Sequence, residues 1–140
     1  MRPPRRQVKE LFRRQIWSLR EDPLKREVLR WMLTSTHPVA KKVLGKVEEE
    51  GYRLNRYFVE KLESKGDGDA RGALAIGGVY YLSLIADKTR VFNGIDLEGE
   101  EGWRRIEKTV EEYIDQFLLG DTARDDQAAN GKQGDGDSRS

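Results

Sequence analysis

Apolar residues recur at helical spacing along most of this chain. Within residues 5–20, Val8, Leu11, Phe12, Ile16 and Leu19 fall on one side, while Arg6, Lys9, Arg13 and Arg20 recur at the same spacing on the other. The pattern predicts a helix with an apolar stripe and a cationic stripe. Glu21-Asp22-Pro23 then interrupts it. Asp22 suits a helix N-cap and Pro23 the first helical position, so a second helix is expected to about Thr34. Thr36-His37-Pro38 repeats that chemistry, with His37 or Thr36 as cap, and starts a third helix running to about Ser64. Val39, Val43, Val47, Leu54, Phe58 and Leu62 give this third helix its apolar line. Gly45 and Gly51 weaken it by about 1 kcal/mol each relative to Ala and are expected to mark close helix contacts.

Lys65 to Asp69 reads as a linker, with Asp69 as the next N-cap. The fourth helix, Ala70 to about Val91, is apolar nearly all round and is expected to be the buried centre, its Gly77-Gly78 pair admitting a close neighbour. Phe92 to Gly102 reads as a Gly- and acid-rich loop. The fifth helix, Glu101 to Leu119, carries Trp103, Ile106, Val110, Tyr113, Ile114 and Phe117 at a/d spacing, and Gly120 is placed to stop it. Residues 121–140 are low-complexity, rich in Asp, Gly and Gln, and no strand-type alternation is found anywhere. The expected fold class is therefore all-α. It comprises a basic amphipathic N-terminal helical arm (1–22), a compact helical bundle of about four helices (23–120) and a flexible, acidic, Asp/Gly-rich C-terminal tail (121–140).

Charge changes this picture more than composition does. The net charge of +1 conceals 16 Lys and Arg against 8 Asp and Glu in residues 1–62, and 10 against 17 thereafter. Such asymmetry suggests a polyanionic partner for the first half, or head-to-tail attraction between copies. With no cysteine there is no disulfide framework, thiolate metal site or cysteine nucleophile. The longest apolar run, Ala73 to Ala86, is short of the roughly 20 residues a bilayer span needs, and MRPPRRQVKE leads into no signal-type apolar region.

Candidate chemistry is sparse. The lone His37 precedes a proline and serves as a helix cap without acid–base work. Glu48-Glu49-Glu50 and Glu111-Glu112 read as solvated helix faces. Asp67-Gly68-Asp69 and Asp135-Gly136-Asp137 lack the ligand series of a calcium loop, and Gly72 to Gly78 lacks the strand and Lys-Ser/Thr of a nucleotide loop. Trp31, Tyr57, Phe58, Tyr80, Tyr81, Trp103 and Tyr113 are expected in the core. No nucleophile–base–orienter set is found, so the expectation is a non-enzyme without catalytic residues, metal or cofactor.

The N-terminal arm is the strongest functional feature. At about 100° per residue, Arg6, Lys9, Arg13 and Arg20 lie within roughly 60°, with Trp17 on the same side. Arg2, Arg5, Arg14, Lys25, Arg26 and Arg30 extend the positive field. The planar guanidinium suits phosphate, and Arg repeated without Asn or Gln contacts backbone rather than base edges. The expected partner is thus double-stranded DNA, bound through its phosphates without regard to sequence. Arg with bulky Trp and Phe also suits a membrane surface, but the acidic second half, which a membrane binder does not require, argues against that. The apolar stripe of Val8, Leu11, Phe12, Ile16 and Leu19 is expected to dock on another subunit, the Pro23 break letting the arm swing, and residues 36–120 are expected to fold without it.

A short basic arm, a helix broken off by proline, and then a compact helical bundle, in about 140 residues without cysteine, resembles the major coat proteins of filamentous archaeal viruses. The resemblance implies a capsid nucleoprotein of a helical virion, found in the host cytoplasm during assembly. In that family paired copies clamp A-form DNA between arm helices, which here maps onto Arg6, Lys9, Arg13, Arg14, Trp17 and Arg20, and each copy assembles with itself or a paralogous coat protein. The acidic tail departs from that pattern. Two other classes fit the basic face and the missing chemistry: a small nucleic-acid-binding subunit of an RNA-guided defence complex, and a helical protein-interaction module.

Overall fold

The computed structural model describes residues 4–62 and 66–118, and these are all-α apart from one small hairpin. Helix α1 spans Pro4–Glu21, α2 Pro23–Thr34, α3 Pro38–Lys61 and α4 Gly68–Ile85. Strands β1 (Val91–Phe92) and β2 (Ile95–Asp96) follow, then α5 (Glu100–Tyr113), which continues into a π-helical turn, Ile114–Leu118. Arg2, the expected end of the third helix at Ser64, the Gly120 stop and the Asp/Gly-rich tail lie outside the described residues.

Two proline breaks work through local chemistry. The Asp22 side chain accepts a hydrogen bond from the Lys25 backbone N–H, and Pro23 opens α2 with a fixed φ and no N–H to leave unpaired. At α3, His37 Nδ1 accepts from the Val39 N–H while Pro38 fills the first turn. The cap of α4 is Asp67 rather than Asp69: its carboxylate accepts from the Ala70 N–H, so the helix begins at Gly68 and ends at Ile85, short of Val91.

The hairpin was not expected from periodicity. Asn93 and Gly94 both have positive φ, at 49° and 78°, as a two-residue turn with the hairpin's right-handed twist requires. It seats Leu97, whose carbonyl accepts a 2.8 Å hydrogen bond from the buried Trp103 Nε1–H. Gly102 makes this possible, because a Cβ there would run into the Asp96 carbonyl.

The core lies along α1, which corrects the expectation that the fourth helix is the buried centre. Val8 and Ile114 form one buried cluster, covered by Phe12, Phe58, Leu62 and Val110. Ile16, Val79, Leu97 and Trp103 form a second, flanked by Phe12 and Val110 again, with Leu82, Ile85 and Ile106. Phe12 and Val110 therefore join the two clusters at the α1–α5 seam. Helix α4 buries Val79 and Ser83 but leaves Leu74 and Tyr81 in solvent. Being apolar all round, it has more greasy surface than this chain can cover.

The same geometry corrects the reading of residues 1–22 as an arm. Ile16 and Leu19 are 0% and 1% exposed and Val8 is 4%, all covered by this chain, so the stripe expected to meet another subunit is mostly core. Phe12 is half-buried in both clusters, and Leu11 alone of the five is exposed.

Candidate interaction surfaces

The cationic stripe of α1 meets the acids of α5. Arg5 Nε and Lys9 Nζ both donate to the Asp115 carboxylate at 2.8 Å. Arg13 Nη2 reaches Glu111 at 2.6 Å, and Arg20 Nη2 reaches Glu100 at 2.9 Å. The two helices run antiparallel, so ascending numbers on one meet descending numbers on the other. Much of the charge asymmetry between the two halves is thus resolved inside the molecule. Burial alone would push the Asp115 carboxyl up, but hydrogen bonds from Lys9 and Arg5, and their charges, hold it below the ordinary carboxylate range. The hydrogen bond from Arg20, with its charge, lowers Glu100 likewise. Glu111 does the reciprocal for Arg13, raising its already high pKa.

Two further arginines expected at phosphates have structural duties. Arg26 Nη1 donates to the Leu19 and Arg20 carbonyls at the end of α1. Arg30 Nη2 donates to the Leu84 carbonyl near the end of α4, and its Nη1 bonds Glu27. Both lie against Asp87. Cations at helix C-termini satisfy carbonyls that have no intrahelical donor and complement the helix dipole. Here they fasten α2 across the ends of two other helices. Lys25 Nζ bonds Ser18, and Arg14 pairs with Glu10 one turn earlier.

What α1 still presents outward is narrower than expected. Arg6, Arg13, Arg14 and Trp17 are exposed along one stripe, Trp17 at 62%, and Arg6 pairs with no acid among the described residues. Lys9 and Arg20 are withdrawn from that stripe into the seam with α5.

On the other side, α1, α3 and α4 diverge around a half-open apolar groove of about 370 Å³. Leu11 and Phe12 of α1, Val47, Leu54 and Phe58 of α3, and Ile76 of α4 form its walls. Its polar edge includes Gln15, whose amide reaches Tyr80 Oη at 3.5 Å. Burial, with Glu48 adding to it, pushes the Tyr80 phenol up, so it stays protonated.

Large apolar side chains also lie in solvent along α2, α3, α4 and the hairpin. Among the described residues sixteen are exposed, against nine hydrophobic residues that are buried. They are contiguous rather than scattered. Leu24, Val28 and Trp31 form one stripe of α2, Val39, Val43, Val47 and Leu54 another on α3, and Tyr81 of α4 stacks edge-on against Phe92 of the hairpin at 5.4 Å. Trp31, Tyr57 and Tyr81, expected in the core, are on the surface. Periodicity could reveal these stripes, but not whether the chain covers them itself.

Among the described residues no group of three or more His, Cys, Asp or Glu is placed to hold a metal ion, and no helix is long and apolar enough to cross a membrane. No protein-family model, curated protein or solved structure matches the chain.

Proposed function

We propose that this chain is a structural subunit, a non-enzymatic helical building block that completes its apolar surfaces by associating with further copies. One observation carries the reading: among the described residues exposed large hydrophobics outnumber the buried core and run in stripes along α2 and α3. Isolated surface leucines are ordinary, but contiguous apolar stripes mark interaction surfaces. Different stripes on different faces give each copy more than one joint, so association can continue into open-ended arrays. Sedimentation velocity of the purified protein between about 1 and 100 μM tests this. Concentration-dependent species larger than a monomer are expected; a monodisperse monomer throughout would refute the reading.

A nucleoprotein form of this function, a coat subunit gripping duplex DNA, draws support from the outward stripe of Arg6, Arg13, Arg14 and Trp17. With three arginines at phosphates, log K should fall against log salt with a slope near −2.7. Replacing all three by Ala should abolish that dependence. Wild-type protein that ignores duplex DNA at low salt would leave the subunit reading without nucleic acid.

A further inference from the structure

Helix α3 is anchored at its ends and bare in between. Ala40 is buried near its start, while Phe58 and Leu62 pack on the Val8–Ile114 cluster at the far end. From Lys41 to Leu54, every residue except Leu44 is exposed, a stretch of about 20 Å at 1.5 Å per residue. Val43, Val47 and Leu54 on that stretch, with Val39 just before it, fall within about 80° at 100° per residue. A Cβ on Gly51, at the edge of that stripe, would touch nothing within 4 Å, so the helix surface there is open to close approach.

Charge along the same stretch is segregated. Lys41, Lys42 and Lys46 come first, then Glu48, Glu49 and Glu50, and among the described residues only Glu49 of the six makes an ion pair, with Arg53. The order suits no need of the helix itself. Lys before Glu is the weaker orientation for pairs four apart, and cations toward the N-terminus oppose the helix dipole.

From this arrangement we infer that the exposed middle of α3 is a self-association surface, pairing antiparallel with α3 of a second copy. A twofold axis near Val47 sets that residue against its own counterpart and Val43 between Gly51 and Leu54 of the other helix. Lys46 of each copy, on the flank of the stripe, then meets Glu49 and Glu50 of the other, while Lys41 and Glu48 lie on the far side of the helix. Parallel pairing in register would set like charges together. The inference rests on the structural-subunit reading and assigns one of its joints.

Charge exchange tests it. A variant with Lys41→Glu, Lys42→Glu and Lys46→Glu should associate at least about tenfold more weakly than wild type, and so should Glu48→Lys, Glu49→Lys, Glu50→Lys. Mixing the two in equal amounts should restore pairing between unlike variants, with helical circular dichroism unchanged throughout. A second measurement needs no charge change. Because the chain lacks cysteine, Val47→Cys should give a disulfide-linked dimer under mild oxidation, and Lys108→Cys on the exposed, polar side of α5 should not. If wild type associates but both triple variants match it, or Val47→Cys fails to cross-link, α3 is not the joint and the subunit reading stands. If wild type stays monomeric, both fall.

Discussion

The guanidinium of Arg20 lies over the indole of Trp103, its carbon 5.0 Å from the ring centroid, while Nη2 reaches Glu100. The Arg20 side chain is 16% exposed, so its stem and charge are largely out of water. A cation over a partly desolvated Trp face contributes about 0.5–2 kcal/mol. Arg20→Ala should therefore lower unfolding free energy by about 1–2 kcal/mol in urea titrations. Arg13→Ala, on a side chain 60% exposed, should cost under about 0.5 kcal/mol. Equal losses would show that the aromatic contact adds nothing to the ion pair.

Ile16 and Leu11 come from the same apolar stripe, yet only Ile16 is covered by this chain. Ile16→Ala should cost about 2–5 kcal/mol, as for other fully buried aliphatic truncations. Leu11→Ala should cost under about 1 kcal/mol in the monomer. Deleting residues 1–21 should abolish the cooperative melt, since α1 supplies members of both core clusters. A truncated chain that melts cooperatively would contradict the central place of α1.

Three glycines separate close approach from open space. Gly102→Ala should destabilise by about 2–3 kcal/mol or more, because the new methyl meets backbone that can yield only by unseating the hairpin. Gly77→Ala and Gly78→Ala meet nothing within 4 Å and should each stabilise the monomer by about 0.5–1 kcal/mol through helix propensity. Thermal melts of the three variants would decide the matter, and a stabilising Gly102→Ala would overturn the placement of the hairpin against α5.

These contrasts mark what the sequence could disclose. Pro23 with Asp22 and Pro38 with His37 are complete within four residues, so both helix starts were legible. The stripe on α1 was equally plain, but amphipathicity announces that a cover exists without naming it, and the cover proved to be α5 together with Val79 of α4, Leu97 and the end of α3. Arg26 and Arg30 looked like the other cations because their partners are carbonyls at the ends of distant helices. Asn93-Gly94 carried a hairpin signal that two-residue strands are too short to echo as alternation. Helix α4 misled because all-round apolarity reads as burial, whether the cover is this chain or another.

Acid should loosen the α1–α5 seam at Asp115. Its carboxyl lies below the ordinary value of 3.8 in the folded chain, so its contribution is fully present above that value. It is lost as pH falls through the lower folded pKa. NMR titration should find Asp115 below 3.8 in wild type and nearer to it in Lys9→Ala. A titration unchanged by Lys9→Ala would show that the pairing does not hold the charge.

The joining of α1 to α5 also governs the order in which this molecule can be made. Arg5 and Asp115 stand 110 residues apart in the chain yet share a hydrogen bond. At about 5–20 residues per second on the ribosome, α1 must wait roughly 5–20 seconds for the helix that covers it. During that interval its stripe of Val8, Phe12, Ile16 and Leu19 faces water or a chaperone. Helix α1 is thus made well before its cover, and the fold closes only once Ile114 and Asp115 have been synthesised.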